Sequence, residues 1–248
     1  MEIDQIQWEG VSIEYEWERK PRKTVGISIS EEGKITVRVP RVFSRDEVRQ
    51  CVRQKGQWIL YHQQMMRRRQ KNMEKRTYEE GEIFFYLGKE YVLKKNRVSS
   101  IRNKKSFQIE LFREENETGT MLLSFCKGEW EQIDTKKVLE EWYKNAAREY
   151  INDKVLMYSK KISCTYHDIR IKNQKTCWGS CSTKGNLNFN WRIMMADPKI
   201  VDYVIVHELC HRLEMNHSAA FWKLVKEQIP DYMQRRNWLR ENGWRLSW

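Results

Sequence analysis

A chain of 248 residues has room for one large domain or two small ones. With 40% hydrophobic and 32% charged residues but only 11 Gly and 4 Pro, it is not collagen-like, low-complexity or wholly disordered. The 46 Lys and Arg against 34 Asp and Glu leave a net charge of +12, a bias toward acidic partners (nucleic acid, phosphorylated small molecules, acidic protein) that does not choose among them.

The segments Val25 to Ile29 and Ile35 to Val39 alternate apolar and polar around Glu31-Glu32-Gly33, which predicts a β-hairpin. Ser44 and Glu47 have capping-box spacing, and the apolar positions Val48, Cys51, Val52 and Ile59 that follow predict one long helix from about Ser44 to Arg76. Short strands are expected at Ile83–Leu87, Tyr91–Leu93, Phe107–Leu111 and Met121–Phe125. From Thr135 the pattern turns helical through roughly Lys160. Strands follow at Ile169–Ile171 and Leu187–Trp191, around a turn-rich stretch from Gly179 to Gly185. Asp197-Pro198 is a good helix start, Ser218 begins another helix ending near Pro230, and a last one runs from Asp231 to Asn242 with Gly243 as its stop. The basic runs at Arg67 to Arg76 and Lys94 to Lys105 read first as solvated faces and second as a surface for nucleic acid or phosphate.

No stretch reaches the about 20 apolar residues of a membrane span. The start, MEIDQIQWEG, lacks the basic-then-apolar layout of a signal peptide, so a cytoplasmic protein without membrane contact is expected. The scattered Cys51, Cys126, Cys164, Cys177, Cys181 and Cys210 fit reduced thiols. Cys177 and Cys181 are spaced C-x-x-x-C, wider than a zinc ribbon's C-x-x-C, so no second metal site is expected there.

Residues 207 to 211 read His-Glu-Leu-Cys-His. On a helix, positions four apart lie on one face, so His207 and His211 can aim two imidazoles at one ion. Glu208, about a hundred degrees round the helix, can reach a metal-bound water without binding the metal. A catalytic zinc needs a third protein ligand. Glu214 lies too far along a continuing helix, whereas His217 can fold back if the helix ends around Glu214 to Asn216, with Asn216 in a left-handed turn. His62 and His167 have no such company and read as structural.

Trp178-Gly-Ser-Cys181, Leu187-Asn-Phe189-Asn190-Trp191-Arg192, Asp202 to His211, Asn216-His217-Ser218 and Phe221-Trp222 together resemble the YgjP-like (SprT-related) zinc metallopeptidase family. Lys55-Gly56-Gln-Trp58-Ile59, Gly81-Glu82, Tyr86-Leu87-Gly88 and Glu141-Trp142-Tyr143 extend the resemblance over nearly the whole chain. It implies zinc held by His207, His211 and His217, Glu208 as general base, and a strand near Asn188 to Trp191 lining the cleft. Two departures stand out: Cys177 occupies the position before Trp178 where that family would have Arg, and Glu214 stands where metzincins, with the same histidine gap, have Gly.

The expected fold is α+β. A β-rich part with one long helix (1–130) precedes a zincin-like helical part with a small sheet and the zinc site (135–248), as one unit over 1–248. The expected function is a zinc-dependent metallopeptidase using a zinc-bound water, with peptide or protein as substrate. Tyr203, Tyr232 and Arg192 are all candidates to stabilise the oxyanion. Hydrolysis of a nucleotide or other phosphate ester is the alternative suggested by the charge. A nucleic-acid-binding protein with a structural zinc is a further alternative, which Glu208 argues against.

Overall fold

A computed structural model describes residues 1–30, 32–72, 76–101, 107–115, 117–126, 134–174 and 177–246, with side chains described outside 65–72. Of the two basic runs, the side chains of Arg67 to Arg69 and the residues Lys104 and Lys105 therefore lie outside the described residues. The protein is α+β, and the chain divides into two compact units, Met1–Arg76 and Thr77–Trp248. The change of character at Thr135 falls inside the second unit.

The first unit is a four-stranded sheet under two helices. The strands are β1 (Glu2–Trp8), β2 (Val11–Lys20), β3 (Gly26–Ile29) and β4 (Ile35–Pro40), in the order β1-β2-β4-β3, with β2 and β4 parallel. The expected hairpin is β3–β4, in register from Gly26 opposite Arg38 to Ile29 opposite Ile35. Ile13, Tyr15, Trp17, Ile35, Val37 and Val39 alternate inward and meet Val48, Val52 and Ile59 from the helices. Strand β1 escaped the pattern because its two inward residues are Ile6 and Asp4, and a buried carboxylate breaks the apolar alternation.

The capping box is as expected: Ser44 N donates to Glu47 Oε2 at 2.7 Å and Glu47 N to Ser44 Oγ at 3.3 Å. The single long helix is not. The chain forms α1 (Arg45–Gln54) and α2 (Gly56–Asn72), interrupted at Lys55, where φ −104° and ψ 9° leave the helical region. The cause is tertiary: a Cβ at Gly56 would overlap the Trp8 indole, so the ring is seated against bare backbone at the break.

The second unit carries two sheets. Strands β5 (Ile83–Tyr86), β6 (Lys89–Val98), β7 (Phe107–Phe112) and β8 (Gly119–Cys126) take the order β5-β6-β8-β7. Strands β9 (Asp168–Lys172), β10 (Gly179–Cys181) and β11 (Asn186–Asn190) take the order β10-β11-β9, so β10 is an edge strand formed where only turns were expected. Between the sheets in sequence, α3 (Thr135–Ile162) is capped by Asp134, whose carboxylate accepts from Lys137 N, and it buries Leu139, Tyr143, Ala147, Ile151 and Val155 on one stripe. Helices α4 (Pro198–Cys210), α5 (Ala219–Gln228) and α6 (Tyr232–Asn242) follow.

Helix α4 is buried nearly all round, from Ile200 and Val201 to Leu209 and Cys210, and it packs on α3, α5, α6 and β10. A helix covered on all sides needs no amphipathic stripe, which is why its run of β-branched residues reads locally as strand. Gly243 does not stop α6 in a left-handed turn. It is the C-cap at φ −54°, the chain runs on into a 3₁₀ turn to Leu246, and a Cβ there would come within 3.0 Å of the Trp178 ring, a tight contact. Among the described residues no helix is long and apolar enough to cross a membrane.

Candidate metal centre

Asp197 caps α4 by accepting from Lys199 N at 2.9 Å, with Pro198 in the first turn, and this sets the helix phase that brings His207 and His211 to one face. The helix ends at Cys210, earlier than the sequence suggests. His211 is its C-cap, and Leu213 N and Glu214 N both bond to Cys210 O. Asn216 has no positive φ. The turn is instead tied down by side chains: Arg212 Nε donates to Thr165 O at 2.9 Å, and its terminal nitrogen to Thr183 O at 3.3 Å. His217 then sits just before Ser218, which caps α5 by accepting from Phe221 N.

The result is a cluster of three imidazoles. Single ring nitrogens of His207, His211 and His217 lie within 4.8 Å of one another and could hold a metal ion. His207 Nε2 and His217 Nε2 are 3.0 Å apart. His211 Nδ1 donates to the backbone carbonyl of Glu214 at 3.1 Å, which fixes the tautomer with Nε2 free to ligate. Glu214 thus acts on the cluster through its main chain. Burial, the neighbouring histidines and Arg236 push the His207 pKa down to about 3, and His217 is lowered mainly by burial and His211. Both shifts favour the neutral imidazole at His207 and His217, the form that ligates a metal. Three imidazoles converging at this spacing fit a metal with one open coordination position.

An aromatic wall surrounds the three histidines. The His211 ring stacks on Phe221 at 4.5 Å, the His217 ring on Trp222 at 5.6 Å, and Trp222 in turn on Tyr232 at 5.3 Å. The Tyr203 ring meets His207 edge-on at 5.9 Å, and burial pushes the Tyr203 hydroxyl up to about 12. Of the three residues expected near an oxyanion, Tyr203 and Tyr232 belong to this wall. Arg192 is engaged by Asn173 and lies over the Trp191 ring.

Glu208 lies one residue on from His207 and is 5% exposed. Among the described residues no hydrogen bond reaches its carboxylate, and burial alone raises its pKa to about 8. It lies against Gly179 of β10, where a Cβ would fall 2.6 Å from Glu208 Oε1. The backbone that approaches Glu208 is thus β10, whereas Asn188 to Asn190, expected at the cleft, lie on the next strand in. Gly179 carried no role in the sequence reading, and the glycine beside Trp178 was its only signal. The His62 ring lies 4.4 Å from that of Trp58, tilted by 47°, and His167 pairs through Nδ1 with Asn186 Oδ1 at 3.1 Å.

Residues 23–242 match the YgjP-like, metallopeptidase domain family, and the chain belongs to that family. Among solved structures, the metallopeptidase zymogen of Pyrococcus abyssi abylysin is similar at 19% identity, with 35% of this chain and 89% of that chain covered and a TM-score of 0.33. No curated protein matches.

Proposed function

We propose that this YgjP-like protein is a zinc-dependent peptidase in which His207, His211 and His217 hold the metal and Glu208 is the general base. The observation that carries this reading is the convergence of three imidazoles beside a buried carboxylate that accepts no hydrogen bond among the described residues. Zinc fits three nitrogen ligands and, when bound, supplies the Lewis acidity that lowers a water's pKa toward ~7 and polarises a carbonyl. Glu208 takes the proton from the attacking water and delivers it to the leaving amine, a role suited to a carboxyl whose pKa lies close to neutral. Tyr203 and Tyr232, whose rings belong to the aromatic wall around the histidines, are the candidates to donate toward the developing oxyanion. Three ligands leave a position open, which speaks against a purely structural zinc. The family match runs through both compact units, which supports a single functional unit over 1–248. The six free thiols fit work in a reducing compartment such as the cytoplasm.

The test is zinc titration and turnover of wild type, His217→Ala and Glu214→Ala, with a casein-type peptide library and a nucleotide panel as substrates. About one zinc per chain is expected in wild type. His217→Ala should bind zinc far more weakly, while Glu214→Ala keeps it, because residue 214 offers its backbone carbonyl. Loss of metal from Glu214→Ala but not His217→Ala would overturn the ligand set. Turnover of nucleotides in place of peptides would move the substrate to phosphate esters.

A further inference from the structure

Arg235 and Arg236 are neighbours on α6 with opposite fates. Arg235 is fully used: it pairs with Asp231 at 2.8 Å and donates to Lys199 O at 2.8 Å. Arg236 is exposed and, among the described residues, has neither an ion pair nor a hydrogen bond. The acidic residues nearest to it in sequence, Asp231 and Glu241, are committed to Arg235 and Arg240. What holds Arg236 is the face of Trp222, with the guanidinium carbon 4.8 Å from the ring centroid.

Trp222 is the ring on which His217 stacks, at 5.6 Å, and it lies 5.8 Å from His207. The guanidinium therefore stands within two ring spacings of the histidine cluster.

A permanent cation next to a site built for a dication repels that metal and gains nothing from any acidic neighbour described here. Solvation alone would keep a surface arginine anywhere. Here an aromatic platform that also carries a candidate metal ligand holds the planar fork at the site. A fork of this kind binds carboxylates through two parallel hydrogen bonds. Extended peptide advances about 3.3 Å per residue, so the two ring spacings of 5.6 and 4.8 Å correspond to about three substrate residues at most.

Building on the metallopeptidase reading, we infer that Arg236 is a specificity-determining residue that binds a carboxylate on the substrate, within about three residues of the bond that is cut. The carboxylate is either an acidic side chain or the free C-terminus of a short peptide. Arg236 selects and positions the substrate and takes no part in proton transfer.

The experiment walks a single Glu, against Gln controls, along an otherwise neutral peptide series, each member made with a free and with an amidated C-terminus. Cleavage is measured with wild type, Arg236→Gln, Arg236→Lys and Arg236→Glu. Binding is measured by calorimetry in the Glu208→Gln background, a readout independent of turnover. Zinc content and thermal melts of each variant check the fold. Wild type should prefer a carboxylate at one position by a factor on the order of 10–100. Arg236→Gln should bring that ratio near one, chiefly through KM. Arg236→Lys should keep part of it, and Arg236→Glu should turn the preference toward Lys-bearing peptides. Preference within the Glu/Gln pairs identifies a side chain, and preference within the acid/amide pairs a chain terminus. Cleavage without a carboxylate preference, or a preference that survives Arg236→Gln, overturns the inference and leaves the peptidase reading standing. A wild type that neither cuts nor binds any peptide overturns both.

Discussion

Asp4 in the first unit and Glu208 in the second are both 5% exposed carboxylates, and the protein treats them in opposite ways. Asp4 accepts from Arg45 and Arg49, each through two nitrogens, from the Tyr15 hydroxyl and from Gln5 N, at 2.9 to 3.2 Å. Those donors, Arg45 first, hold its carboxyl well below the usual carboxylate range against the cost of burial. Glu208 has no such donors and rises to about 8. A carboxylate surrounded by donors is fixed in one protonation state and ties strand to helix. One left without donors can change state near neutral pH, which is what proton transfer requires.

Exchanging each carboxylate for its amide separates the two roles most sharply. Glu208→Gln should keep its metal and its fold while peptide hydrolysis falls by a factor on the order of 10²–10⁴, the usual worth of a positioned base. Elemental analysis and turnover on the same sample check this, and near wild-type turnover would remove Glu208 from the mechanism. Gly179→Ala should come next in size. A Cβ there would crowd the side chain of Glu208 without straining the backbone, so metal stays while activity falls by as much as ~10²-fold, the order expected for a misplacement of about 1 Å. Unchanged turnover in this variant would show that Glu208 has room to move.

The contrast between the carboxylates explains how much of the molecule can be read from its sequence. The His-Glu-x-x-His spacing is local, so the shared face of His207 and His211 on α4 and the adjacent Glu208 follow from helix geometry alone. The end of that helix does not. Arg212 reaches Thr165 and Thr183, far away in sequence, so nothing local marks Cys210 as its last residue. The break at Gly56 depends in the same way on Trp8, and the glycine at 243 on Trp178. Strand β1 was hidden by Asp4 itself, because its satisfaction depends on arginines some forty residues away. Edge strand β10 is only three residues long, too short for alternation to register.

For Asp4→Ala the expected loss is of stability alone. The two arginines it pairs with keep 53% and 36% of their side-chain surface exposed, so water can take over their hydrogen bonds and no buried charge is stranded. A cost of about 1–3 kcal/mol follows from losing hydrogen bonds to a charged group. Urea unfolding of wild type and variant measures it, and zinc stoichiometry should remain unchanged. A loss of metal with an unchanged unfolding midpoint would contradict the structural role given to Asp4.

The smallest effect lies in the pH dependence of the metal-free protein. Folding raises the Glu208 pKa from 4.5 to about 8, so the folded chain binds that proton more tightly than the unfolded one. The stability this contributes is fully present below 4.5 and is lost as pH rises through about 8. His207 works in reverse: lowered from 6.5 to about 3, it contributes stability above 6.5 that is lost as pH falls through about 3. Asp4, lowered from 3.8, changes only on the acid side of that value. Between pH 6.5 and 8 the histidine and aspartate contributions are therefore complete and only that of Glu208 is still changing. In chelator, the melting temperature of wild type should fall across this window relative to Glu208→Gln, and Asp4→Asn should track wild type in slope. Bound metal favours the charged carboxylate and should flatten the difference. Parallel melting curves for wild type and Glu208→Gln in chelator would mean that the Glu208 carboxyl is ionised throughout, and that its burial is relieved by a donor or by water.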